Sequence, residues 1–145
     1  MKMLWMLVVL GLCMFLAAAP PVVPAGNGRQ TVRDSSGRVV GSVERQGSRV
    51  YYRDGSGRLT GTADVSGSRV TFRDSSGRMT GSSETYGSRV TYRDSSGRVS
   101  GSAEGSGVRT TFRDSSGRVT GSSEASGNGR TTYRDSSGRV SGTIY

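Results

Sequence analysis

Residues 49–68 read Arg49-Val50-Tyr51-Tyr52-Arg53-Asp54-Gly55-Ser56-Gly57-Arg58-Leu59-Thr60-Gly61-Thr62-Ala63-Asp64-Val65-Ser66-Gly67-Ser68, and this stretch decides the fold. Arg49 to Arg53 is β-branched and aromatic, which favours a strand. Asp54-Gly55-Ser56-Gly57 is turn chemistry: Asp bonds the backbone two residues on, and Gly57 tolerates a positive φ. Arg58 to Asp64 alternates apolar or small residues with polar ones, the period of a second strand. Val65-Ser66-Gly67-Ser68 reads as the return turn. Two strands and two turns use every residue, and no part reads as a helix.

The stretch recurs. The motif Arg-Asp-Ser-Ser-Gly-Arg begins at Arg33, Arg53, Arg73, Arg93, Arg113 and Arg134, with Gly55 in place of the first Ser in the second copy. The spacing is 20 residues until the last interval, which is 21. A fixed period of this size marks a repeat architecture, in which each unit buries its apolar face only against its neighbours. The extra residue falls in Ala125–Gly129, a Gly/Ser/Asn-rich stretch suited to a loop insertion.

The sequence predicts a register. A four-residue loop at Asp54–Gly57 places Arg53 opposite Arg58, Tyr52 opposite Leu59 and Val50 opposite Gly61. The same treatment of Val65–Ser68 pairs Asp64 with Arg69, Ala63 with Val70 and Gly61 with Phe72. Both hairpins then gather Val, the aromatic, Leu/Val/Met, Gly and Ala on one face, with Arg, Thr, Ser and the acid on the other. A glycine covered by an aromatic is a known device in sheets. Like charges at Arg53 and Arg58 count against this register. A three-residue loop with a Gly bulge pairs Asp54 with Arg58 instead, but carried through the hairpin it turns Tyr52 to the Arg/Thr face. The apolar phase decides for the four-residue loop.

The expected fold is therefore all-β: six tandem hairpins of about 20 residues, closed or coiled as one antiparallel sheet. An open sheet would leave its apolar face and edges bare. The alternative is a two-sheet β-solenoid, which stacks identical Arg side chains at the ~4.8 Å strand spacing and is electrostatically poor. An acid closes each unit at Glu44, Asp64, Glu84, Glu104 and Glu124; in the sixth that position is Tyr145, whose α-carboxylate could supply the charge.

Tyr52-Arg53-Asp54-Gly55-Ser56-Gly57-Arg58-Leu59-Thr60 resembles the YD repeat of bacterial Rhs-type proteins, which also runs aromatic, Asp, two small residues, Gly-Arg-Leu-Thr. It is similar as well to small secreted bacterial β-flower proteins built from Asp-x-x-Gly hairpins. The likeness covers about nine residues of each unit, and the sequence departs at the defining Tyr, where Arg53, Arg73 and Arg93 stand. Six units are too few for an Rhs shell. The resemblance implies hairpin repeats in a periplasm or on a bacterial surface, and no particular ligand.

Two domains are expected: a signal peptide at 1–25 and a repeat domain at 26–145. Lys2 supplies a positive start, Leu4 to Ala19 is apolar, and small residues follow. Val23-Pro24-Ala25 is the favoured cleavage site, since cleavage after Ala19 would leave Pro20 first. The run falls short of the roughly 20 residues of a spanning helix, so cleavage is favoured over an anchor, and bulky Leu12 before Cys13 argues against lipidation. The mature chain then has no Cys, which excludes disulfides and thiolate chemistry. The protein contains no His, and only 32% of its residues are hydrophobic.

This residue set points away from enzymes. No His serves as acid or base, and the Ser residues sit in turns without a neighbouring base. Acids flanked by Arg are pushed toward low pKa values. One carboxylate per turn makes a poor cation site, so no metal or cofactor is expected. The candidate site is anion binding by Arg33, Arg38, Arg53, Arg58, Arg73, Arg78, Arg93, Arg98, Arg113, Arg118, Arg134 and Arg139, because guanidinium groups grip carboxylate, sulfate or phosphate bidentately. The bland alternative is a solvated face whose Arg residues pair with Asp and Glu. Export favours acidic polysaccharide, lipopolysaccharide or cell-wall polymer over nucleic acid. The expected function is an exported structural or adhesive module, secreted, periplasmic or on the cell surface. The alternatives are an Arg-mediated binder of envelope polymers and a self-assembling fibre subunit.

Overall fold

The computed structural model describes residues 23–145. They form twelve strands: β1 (Gly28–Asp34), β2 (Val39–Gln46), β3 (Arg49–Asp54), β4 (Leu59–Ser66), β5 (Arg69–Asp74), β6 (Met79–Tyr86), β7 (Arg89–Asp94), β8 (Val99–Ser106), β9 (Arg109–Asp114), β10 (Val119–Ala125), β11 (Thr131–Asp135) and β12 (Val140–Ile144). Each strand pairs antiparallel with its sequence neighbours, and β1 pairs with β12, closing the sheet into a barrel. Closure rests on Val32 opposite Ile144 and Arg33 opposite Thr143. It is extended by Thr31 N–H donating to Tyr145 O at 2.8 Å and Tyr145 N–H donating to Thr31 O at 3.2 Å. Tyr145 thus stands opposite Thr31 as Glu84 stands opposite Thr91. A closed ladder has no edge strand, and the solenoid alternative is not what forms.

The register corrects the sequence reading in one respect and keeps it in another. Asp54 N–H donates to Arg58 O and Gly57 N–H to Asp54 O, both at 3.0 Å, with Gly57 at φ +85°. The loop is therefore the three-residue type with a Gly in the left-handed region, not the four-residue one. Arg53 lies opposite Leu59, Tyr52 opposite Gly61 and Val50 opposite Ala63. The expected Arg53–Arg58 pair does not form. Thr60 is the reason the apolar phase survives: it is an extra residue between Leu59 and Gly61, and a one-residue bulge flips the face of everything beyond it. Its hydroxyl donates to Tyr52 O at 3.1 Å, which holds the bulge closed.

The return turn is also tighter than expected. Ser66 pairs with Arg69 and Val65 with Val70, so Gly67-Ser68 alone is the tip. Gly67 at φ +58° in the first tip position is the glycine such a two-residue hairpin needs. The extra residue near 125–129 makes the corresponding turn a three-residue loop, with Ser126 N–H donating to Arg130 O at 2.8 Å and Gly129 at φ +81°.

Inside the barrel lie Val32, Val43, Val50, Tyr52, Ala63, Val70, Phe72, Ala103, Phe112, Tyr133 and Ile144. Phe112 and Tyr133 stack at 6.3 Å and 10°. Each aromatic faces a glycine across its own hairpin, as Tyr52 faces Gly61 and Phe72 faces Gly81. Nothing larger fits: a Cβ on Gly61, Gly81, Gly101 or Gly121 would stand 2.5 Å from a carbonyl oxygen of the next strand. At one mouth Val23 packs on the core, and Arg45 Nη1 donates to Pro24 O at 2.7 Å. Residues 1–22, including most of the expected signal peptide, lie outside the described residues. Among the described residues no helix is long and apolar enough to cross a membrane. The outer wall is mainly Arg, Thr, Ser and acid, the reverse of the lipid-facing band of a membrane barrel.

Candidate functional site: an arginine rim

The antiparallel order puts the six Asp-led three-residue loops at the same end of the barrel. All twelve arginines singled out in the sequence flank those loops: Arg33, Arg53, Arg73, Arg93, Arg113 and Arg134 before them, and Arg38, Arg58, Arg78, Arg98, Arg118 and Arg139 after them. The loops contribute six acids to this rim, Asp34, Asp54, Asp74, Asp94, Asp114 and Asp135. Arg therefore outnumbers acid two to one here, and the positive charge of the chain is concentrated on one end.

Each loop Asp is an organiser of its own loop. Asp74 Oδ1 accepts from Ser76 N–H at 2.9 Å, Ser76 Oγ at 2.6 Å and Arg78 N–H at 3.0 Å. The pattern repeats at the other five loops, as at Asp34 and Asp135. These bonds lower the carboxyl pKa, the Ser76 hydroxyl most, against a desolvation cost, with the Arg78 and Ser76 amides and the Arg78 charge adding to the effect. The carboxylates are thus ionised, yet their strongest hydrogen bonds go to neutral donors.

The two arginines of each loop differ. The one before it is pinned: Arg53 Nη1 donates to Gly57 O at 3.2 Å, Arg73 Nη1 to Gly77 O at 3.1 Å, and Arg33 Nη1 to Gly37 O at 2.9 Å. The one after it gives its backbone N–H to the Asp and makes no ion pair among the described residues. The ion pairs formed there are at the waist, where Asp64 meets Arg49 at 2.9 Å and Arg73 at 3.3 Å. Arg49 and Arg73 reach Asp64 from either side because Asp64 stands opposite Arg49 on β3 and opposite Thr71 on β5.

The three-residue loop, with its bulge, turns outward one group of residues that the sequence reading had placed inside. Leu59 shares the outer face with Arg53, and by the same register Val39, Met79, Val99, Val119 and Val140 stand opposite Arg33, Arg73, Arg93, Arg113 and Arg134. They are 36–45% exposed, apart from the better covered Leu59. The signal for this was present in the three-residue-loop alternative, which pairs Asp54 with Arg58 and hence Arg53 with Leu59. Among the described residues no group of three or more His, Cys, Asp or Glu is placed to hold a metal ion.

No family model matches the chain, and no curated protein matches it. Among solved structures it is similar to a protein of Arabidopsis thaliana determined by X-ray crystallography, at 14% identity and a TM-score of 0.55, covering 81% of this chain and 78% of that one. That likeness concerns the fold alone.

Proposed function

We propose that the protein is an exported, non-enzymatic binding module of the bacterial envelope, in which six equivalent repeat units present arginines to anionic polymers. The observation that carries this reading is the gathering of twelve arginines at one rim, all but Arg73 outside any ion pair among the described residues. A guanidinium free of carboxylates keeps all its donors for a ligand, and its planar fork suits carboxylate, sulfate or phosphate. Repetition around a ring adds avidity: once one site is engaged, the next binds at high effective concentration. Acidic polysaccharide and lipopolysaccharide are the ligand classes that fit an exported chain. The fibre reading draws no support from a closed ladder, since strand addition needs an unpaired edge.

The test is binding of the purified protein to a panel of acidic polysaccharides and lipopolysaccharide at several salt concentrations. Binding should weaken steeply with salt. It should also fall when Arg58, Arg78 and Arg98 are replaced together by Gln. A wild-type protein that binds nothing on the panel at low salt would end this reading.

A further inference from the structure

The apolar ring on the outer wall is a feature that anion binding alone does not require. Most outward strand positions elsewhere carry polar or charged residues, as at Ser42, Thr71, Ser82 and Glu84, with Tyr51 and Tyr86 as aromatic exceptions. At the rim they carry Val39, Leu59, Met79, Val99, Val119 and Val140, each directly across from an Arg whose guanidinium is pinned to a loop carbonyl. An aliphatic patch beside a fixed cation therefore recurs once per hairpin, at an interval of about two strand spacings, roughly 10 Å measured across the ladder. The loop tips beyond this ring are Asp, Ser and Gly, so the aliphatic side chains sit on the side wall behind a polar crest. That order suits a chain lying around the wall better than a bilayer met end-on, where Asp and Ser would have to enter first.

We propose that the ring is the contact surface for linear acidic polysaccharide, the sugar rings laying their C–H faces on the aliphatic side chains while their carboxylates pair with the rim arginines. The inference rests on the anion-binding reading and names the ligand within it. A sugar acid offers both chemistries at once; inorganic polyphosphate offers only charge, and the two ligands separate the two claims.

The experiment replaces Met79, Val99 and Val119 together by Thr, a residue that exposed strand positions accept. An unchanged thermal midpoint shows that the variant is folded. Alginate and polyphosphate are then titrated against wild type and variant at fixed low salt. The expected result is an affinity for alginate lower by about three- to tenfold, from lost apolar contact repeated along the chain, with polyphosphate binding unchanged. Equal alginate binding by both proteins would overturn the inference while leaving the arginine rim in place. Wild-type binding to neither ligand would overturn both readings. Vesicles containing anionic lipid form a third arm: if the variant loses vesicle binding but keeps alginate binding, the ring serves a lipid surface and the inference fails.

Discussion

Two glycines in one strand should respond to the same substitution with opposite sign. Gly101 and Gly105 both lie in β8, and neither has a positive φ. A Cβ on Gly101 would stand 2.5 Å from Arg113 O, with Arg113 C at 3.6 Å and Asp114 Cα at 3.7 Å. To restore an ordinary contact near 3.4 Å, β8 and β9 must part by about 0.9 Å at that point. The obstacle is backbone in the adjacent strand, which cannot rotate away as a side chain would. Overpacking of this kind costs about 1–3 kcal/mol. At about 4 °C per kcal/mol for a domain of this size, Gly101→Ala should lower the thermal midpoint by roughly 4–12 °C. On Gly105 a Cβ meets only Ser88 O, at 3.6 Å. Gly105→Ala therefore loses nothing native and reduces the entropy of the unfolded chain, worth about 0.4–1 kcal/mol of added stability. Thermal unfolding followed by circular dichroism compares the two directly. If Gly101→Ala unfolds within about 1 °C of wild type, or Gly105→Ala falls as far as Gly101→Ala, the close-approach argument is refuted.

Other consequences follow from the loops, the bulge and the core. Deleting Ser100, the extra residue of β8, would leave Val99 opposite Arg93 and Gly101 opposite Tyr92 in an unbulged ladder; the variant should keep a cooperative unfolding transition, and loss of that transition would contradict the bulge assignment. All six loop Asp residues have folded pKa values below the ordinary one, with the Ser hydroxyl as the largest cause. A depressed carboxyl pKa stabilises fully above the unfolded value of about 3.9 and is lost as pH falls through the folded value. The thermal midpoint should accordingly drop below about pH 4, and Asp74→Asn should shrink that drop. An identical acid profile in the variant would count against the loop hydrogen bonds. Burial pushes the Tyr133 phenol up to about 12. Its contribution is present below the unfolded value of about 10 and fades as pH rises through 12. In an ultraviolet alkaline titration, Tyr133→Phe should leave the tyrosinate signal below pH 11 unchanged; a smaller signal there would place Tyr133 in water.

Much of the barrel was legible in the spacing of residues 49–68. Val50, Tyr52, Gly61 and Ala63 share a face because side-chain direction in strands has period two, and burial selects the register that keeps apolar residues together. The loop Asp and Gly were legible for a local reason: Asp54 to Arg58 closes its hydrogen bonds within five residues. The twelve rim arginines could be named from the repeat, but the register assigned across the loop was off by one residue at Arg53 and by two beyond the bulge. Loop chemistry favours three residues and the apolar phase demands an odd shift, and only the Thr60 bulge satisfies both. A bulge leaves little composition signal, because Thr in a strand reads as an ordinary strand residue.

The sequence by itself determined the hairpin unit, its inner apolar face and the loops that end it, since each depends on contacts within about twenty residues. Tertiary structure decided what depends on distant partners. The pairing of β1 with β12 joins residues more than a hundred positions apart, and with that closure the sheet loses its edges. The same closure gathers the loop arginines on one rim, and the bulge turns Leu59 and its counterparts out beside them. Neither result is fixed by local propensity, because each is settled by which strand lies next door and which carbonyl stands against its glycine.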